Sequence, residues 1–158
     1  MRGITKWGAV GGLAAAVLLA GAVGGIAQDK LAAVKARQDF MKGQGADVKA
    51  IVGFAKGNGT QPAALKAVDD LLARAPKIND QFPAGTSATD FPGKTHAKPE
   101  IWTDWDKVKM ISTTVQSEEE KLKAAIQKGD KAAVSAQIGA LNKNGCGACH
   151  GHYRLPYS

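Results

Sequence analysis

Only two cysteines occur among the 158 residues, so a structural zinc site, which needs a second pair of ligands, lacks its components. Residues 28–158 contain no segment in which apolar and polar side chains alternate, which removes support for a sheet. Without strands there is no βαβ context for a thioredoxin-like cysteine pair. Lysine and arginine are frequent but never form a block interleaved with aromatics, so nucleic-acid binding has no footprint. Long uncharged runs are absent as well, except for one near the N-terminus.

What is present is compact. Both cysteines fall in Cys146-Gly147-Ala148-Cys149-His150, the C-x-x-C-H spacing to which a c-type haem is covalently attached. Two thiols must add across the two haem vinyl groups while the adjoining imidazole reaches the iron from the same side. On a helix, residues three and four apart share a face, so Cys146, Cys149 and His150 would all project together.

Such attachment occurs outside the cytoplasm, and the N-terminus reads accordingly. Arg2 and Lys6 form a positive n-region, Gly8 to Gly25 is uncharged and rich in Ala, Val, Leu and Gly, and Gly25-Ile26-Ala27 offers small residues for a signal peptidase. Cleavage is expected after Ala27, with residues 1–27 a secretory signal peptide and 28–158 a single periplasmic domain. The alternative, a retained anchor, would rest on a short and weakly hydrophobic span. Loss of Arg2 and Lys6 lowers the net charge from +7 by two, and the remaining basic balance could steer the protein toward acidic redox partner proteins.

Helical spacing recurs four times. Val34, Gln38, Met41, Gly45, Val48, Val52 and Ala55 make a 4-3-4-3 seam from about Asp29 to Lys56, weakened by glycines that invite a break near Gly43. Pro62 suits the first turn of a second helix carrying Leu65, Val68, Leu71 and Leu72, which stops before Pro76. A loop from Lys77 to Lys98 comes next, with Phe82 and Phe91 packing on the bundle flank. Pro99 and Glu100 open a third helix striped by Ile101, Trp105, Val108, Val115, Leu122 and Ile126 and closed by Gly129. Asp130 is the N-cap of a fourth, whose Val134, Ile138, Leu141 and Gly145 lead into the haem motif before Pro156 ends it. The fold class is all-α, an antiparallel four-helix bundle.

A haem motif at the extreme C-terminus of such a chain resembles the class II c-type cytochromes, cytochrome c prime and its low-spin relatives. Arg37-Gln38-Asp39-Phe40-Met41 is similar to the family's haem-contact segment in the first helix, and Ala97-Lys98-Pro99-Glu100-Ile101-Trp102 to the start of its third. Cys146 to Arg154, reading C-G-A-C-H-G-H-Y-R, matches its haem site. The resemblance implies one haem c with its iron, His150 as proximal ligand, Arg37 and Gln38 at the propionates, and Arg154 beside the proximal imidazole. Tyr153 packs, His152 points away from the iron, His96 is solvent-exposed, and Met110 is a packing residue.

Met41 decides function. It lies three and four residues from Gln38 and Arg37, hence on their face. In low-spin members of the family a methionine there is the sixth iron ligand; in cytochrome c prime proper the position leaves iron five-coordinate. The expectation is a periplasmic carrier of single electrons, not an enzyme, with iron held by His150 and Met41, since a thioether raises the reduction potential. The alternative is a five-coordinate haem binding nitric oxide or carbon monoxide behind Met41, Phe40, Val48 and Val34. The resemblance implies a homodimer as an option, and no membrane insertion is expected after signal cleavage.

Overall fold

The computed structural model describes the backbone of residues 17–156 and the side chains of residues 27–156. The expected signal peptide therefore lies largely outside the described residues. Among the described residues six α-helices succeed one another: α1 (Val17–Ala55), α2 (Gln61–Arg74), α3 (Glu100–Thr103), α4 (Trp105–Gln127), α5 (Lys131–Leu141) and α6 (Gly147–Tyr153). Helix α1 runs on through the expected cleavage point between Ala27 and Gln28. None of the described helices is long and apolar enough to cross a membrane.

Local chemistry explains most boundaries. Thr60 caps α2 by accepting a hydrogen bond from the Ala63 amide at 3.4 Å, with Pro62 in the first turn. Asp130 caps α5 through the Ala133 amide at 2.9 Å. Two expectations fail for tertiary reasons. The break near Gly43 does not occur: the Arg74 guanidinium packs over Gly43, 3.5 Å from where a Cβ would stand, and pairs with Asp47 one turn on. The third helix is instead divided at Asp104, which leaves helical geometry at φ −103°, ψ 32°. Its carboxylate accepts from the Tyr153 hydroxyl at 3.3 Å, and the Trp102 indole in the preceding turn donates to the Phe82 carbonyl at 3.0 Å.

Helix α1 packs on α2 and α5, and α4 on α2 and α5, which closes a four-helix bundle. Its core falls into two parts. One cluster joins Ile51 and Phe54 of α1 to Ala64, Val68 and Leu71 of α2, Val115, Leu122 and Ile126 of α4, and Val134 and Leu141 of α5. At about 1.5–3 kcal/mol for each large apolar side chain buried, these contacts dominate the stability. The other cluster gathers Ala97, Ile101, Val108 and Tyr153, with Phe82, Trp102, Trp105, Ile111 and Cys149 against it. The α1 seam is thus displaced from expectation: Ile51 and Phe54 are buried, whereas Val52 and Ala55 are half-buried. Met110 is not a core packing residue, being 66% exposed.

The residue least at ease in the core is Glu119 of α4, 1% exposed. Burial, and secondarily the Asp47 carboxylate, push its pKa from 4.5 to about 7. A raised folded-state pKa means that the folded chain holds the extra proton between those values, so stability falls as pH rises from 4.5 to about 7. Glu119→Gln should remove that fall and stabilise the protein above the window by up to roughly 3.5 kcal/mol, at about 1.4 kcal/mol per pH unit. Urea unfolding followed by tryptophan emission on both sides of the window checks this; an unchanged pH dependence would refute it.

Candidate functional site

The segment bearing the two cysteines is not a simple continuation of α5. Between Leu141 and Gly147 the helix widens into a π-turn, Asn142–Cys146, a distortion that inserts a residue and re-aims the side chains C-terminal to it. Two glycines permit it. A Cβ on Gly147 would stand 2.5 Å from the Asn142 carbonyl oxygen, and one on Gly145 would meet the Val115 methyl at 2.8 Å. The π-turn lets Cys146 pack on the main core cluster while Cys149, in α6, packs on the second. The two cysteines form no disulfide with each other and are half-buried.

The two core clusters leave a hollow between them, made of two adjoining cavities of about 330 and 570 Å³. Met41, Gly45, Phe82, Cys149 and His150 line both. The smaller is walled mostly by apolar side chains, among them Val48, Val108, Ile111, Val115, Ile138 and Leu141. The larger has a polar rim, with the cations Arg37, Lys42 and Arg154 beside Gln38 and His96. An apolar chamber with a cationic edge, two thiols and an imidazole fits a flat, mostly apolar group that carries carboxylates at one side, which is the chemistry of haem.

The titratable groups agree. Burial, then the neighbouring Cys146, push the Cys149 thiol up to about 11, against the pull of Arg154. Burial, then Glu119, raise Cys146. Neither is the low-pKa thiolate of a redox-active pair. Burial, then Arg154, lower His150 and keep its imidazole neutral, the form that ligates a metal. No cluster of three or more metal-ligating His, Cys, Asp or Glu occurs among the described residues.

The structure gathers all the expected site residues around this hollow: Cys146, Cys149 and His150 from the C-terminal helix, Arg37, Gln38 and Met41 from α1, and Arg154 beyond α6. His152 is exposed and lines neither cavity. His96 corrects its expectation, being half-buried on the rim rather than in solvent. It is drawn in because residues 96–98 pair with 153–155: the Leu155 amide donates to the His96 carbonyl at 2.8 Å and the Lys98 amide to the Tyr153 carbonyl at 2.9 Å.

Arg37 lines the larger cavity and is also engaged by the loop after α2. It is 4% exposed. One terminal nitrogen donates to the Thr86 hydroxyl at 2.9 Å and the Gln81 carbonyl at 3.3 Å; the other donates to the Thr86 carbonyl at 2.8 Å and the Thr95 hydroxyl at 2.9 Å. Its guanidinium also lies 5.2 Å from the Phe82 ring centroid. Both terminal nitrogens are therefore spent on the loop, and a carboxylate could reach only Nε without displacing these bonds. Gln38 is similarly engaged, donating to the Lys94 carbonyl at 2.7 Å. Sequence reasoning missed Phe82, Thr95 and Gln44 as wall residues. Gln44 was within reach, one helical turn beyond Met41 on the same face.

Comparison with known proteins is consistent with this geometry. Residues 32–154 match the model of the Cytochrome C' family. Cytochrome c-556 of Agrobacterium tumefaciens is 32% identical over 124 residues, covering 77% of this chain and 96% of that protein. The solved cytochrome c' of Rhodobacter Spheriodes superposes with a TM-score of 0.73 at 26% identity, over 81% of this chain and 98% of that one. A nitric oxide complex of a mutant cytochrome c prime from Alcaligenes xylosoxidans gives 0.69 at 26% identity, over 81% and 97%.

Removing the Arg37 fork would strand buried acceptors at Thr86 and Thr95, at about 1–3 kcal/mol each. Arg37→Leu should therefore cost roughly 3–5 kcal/mol of unfolding free energy, and Arg37→Lys should recover little of it because an ammonium cannot fork. Urea titration measures both; a loss below about 1 kcal/mol for Arg37→Leu, within the scatter of surface substitutions, would contradict the anchoring role.

Proposed function

This chain belongs to the cytochrome c′ family and carries one covalently bound haem c with its iron, and from that premise we propose that it is a periplasmic, non-enzymatic haem protein that takes up nitric oxide or carbon monoxide on the iron face beneath Met41. Residues 1–27 are removed on export in this reading. Cys146 and Cys149 hold the macrocycle by thioether bonds, and His150 supplies the proximal imidazole. Bound haem provides an iron centre that changes oxidation state by one electron and accepts a small axial ligand. The residues decide which ligand.

The observation that carries the reading is the composition of the wall on the α1 side. Met41, Gly45, Val48 and Phe82 present no ionisable group there, and Gln44 is an uncharged amide. Such a wall admits neutral diatomic molecules and has no acid–base partner for cleaving an O–O bond. Arg37, a strong donor on α1, is bound to the loop. Kinship with cytochromes c′, one of them solved with nitric oxide, supports the same conclusion.

A second reading has its own observation. Met41 lines both cavities together with His150, so its thioether is available as a sixth ligand, and a cytochrome c-556 is among the relatives. Iron six-coordinate in both oxidation states would then serve electron transfer, with Lys42 and Arg154 on the rim facing an acidic redox partner.

Spectra separate the two. Gas binding expects a high-spin ferrous spectrum that carbon monoxide shifts at once. In that case Met41→Ala should speed carbon monoxide association by about tenfold for every ~1.4 kcal/mol of crowding removed. Low-spin bands that carbon monoxide leaves unchanged, converted to high-spin by Met41→Ala, would replace this reading with the carrier. Pigment extracted by acidified organic solvent would refute thioether attachment.

A further inference from the structure

We propose that Glu119 is a redox-linked proton site: when the haem gains one electron from an external one-electron donor, the Glu119 carboxylate gains one proton from water and becomes a carboxylic acid. The inference rests on haem attachment at Cys146 and Cys149, and holds whichever axial ligation applies.

The geometry is that of a charge placed where nothing balances it. Glu119 is 1% exposed, and its Oε2 atom is buried without a hydrogen-bond partner. Buried carboxylates normally have a cation or several donors. Here the cations of this region are already engaged. Arg74 of α2 pairs with Asp47 of α1, Lys121 with Glu118, and Lys123 with Asp69 of α2. Glu118 itself also accepts from Gln137 of α5. The group that acts on Glu119 from a facing element is Asp47 on α1, a like charge; Glu119 in turn acts on Cys146 at the end of the π-turn.

Cys146 ties this carboxyl to the cofactor. The Glu119 charge is felt at the Cys146 sulfur, and that sulfur is one of the two atoms by which the macrocycle is fastened. Glu119 also lies one helical turn after Val115, a wall residue of the apolar cavity. A second orphan marks the same region: the Gln44 amide nitrogen is buried without a partner, lines that cavity, and stands one turn before Asp47. An added electron makes the cofactor more negative, which disfavours a carboxylate close by and favours the acid. Burial already holds Glu119 midway through its titration near neutral pH, at about 7, so a modest change in field moves a substantial fraction of a proton. The coupling is reciprocal: protonation of Glu119 must favour reduction.

The test is a spectroelectrochemical titration of the purified holoprotein from about pH 5 to about pH 9, a span covering both protonation states. The midpoint potential should fall as pH rises around neutrality, by up to ~59 mV per tenfold change in proton activity, the one-electron limit. In Glu119→Gln that fall should flatten, leaving only slopes from other groups such as the propionates. A reduced-minus-oxidised infrared difference spectrum of the unmodified protein near neutral pH should gain a carboxylic-acid C=O band. Equal slopes in the two proteins, or no such band, would overturn the inference while leaving haem attachment intact. A colourless protein would overturn both.

Discussion

A four-helix bundle closes by bringing apolar stripes together, yet between Leu141 at one side and Tyr153 at the other the stripes of this chain do not meet. The gap is held open by rigid features. A π-turn sets Cys146 and Cys149 on separate clusters, and glycines at 145 and 147 let backbones approach where a Cβ would collide. The loop after α2 brings Phe82 to the gap's edge. A core split in this way forfeits the contacts that would fill it, and the deficit is natural if a bound planar group completes the packing. Folding and cofactor attachment are then one problem, since the two cysteines that fasten the group also belong to the clusters on either side.

Arg37 shows how the open side of that hollow is kept in shape. A buried guanidinium is costly unless its donors are met, and here four hydrogen bonds and the Phe82 ring meet them. Its partners, Gln81, Thr86 and Thr95, span the irregular segment between α2 and α3, which would otherwise have few reasons to stay against α1. Arg37 thus ties this segment to α1 beside the larger cavity that it also lines. The remaining cations of the rim, Lys42 and Arg154, supply the positive field that suits propionates.

The electrostatics have a division of their own. Cations gather at the rim of the larger cavity, whereas beyond the apolar cavity lie Glu119 and Asp47, only one of which has a counter-ion. A cofactor placed between them experiences a field that depends on whether Glu119 is ionised. That is a means of tuning an iron centre with a residue that never touches it.

Much of this was legible in the chain itself. The C-x-x-C-H motif named the cofactor because thioether and imidazole chemistry admits little variation in spacing. Capping residues such as Asp130 and the proline at 62 marked helix starts, because the physics of a helix end is local. The face shared by Arg37, Gln38 and Met41 came from helical periodicity alone. Other features depend on partners distant in sequence. Gly43 is spanned by an unbroken helix because Arg74 covers it; the third helix divides at Asp104 because Tyr153 reaches it; His96 is half-buried because residues 153–155 pair beside it. The bonds from Arg37 to Thr86 and Thr95 are invisible in the chain, because neither residue is near it in sequence. Glu119 reads as a surface residue within a run of three glutamates, and only the packing of four helices makes it a buried acid. Sequence determined what chemistry the chain can perform, through short-range patterns of reactive groups. Tertiary structure decided which of those groups are free, which are already committed, and how the field falls between them, because burial and distance are properties of the assembled bundle.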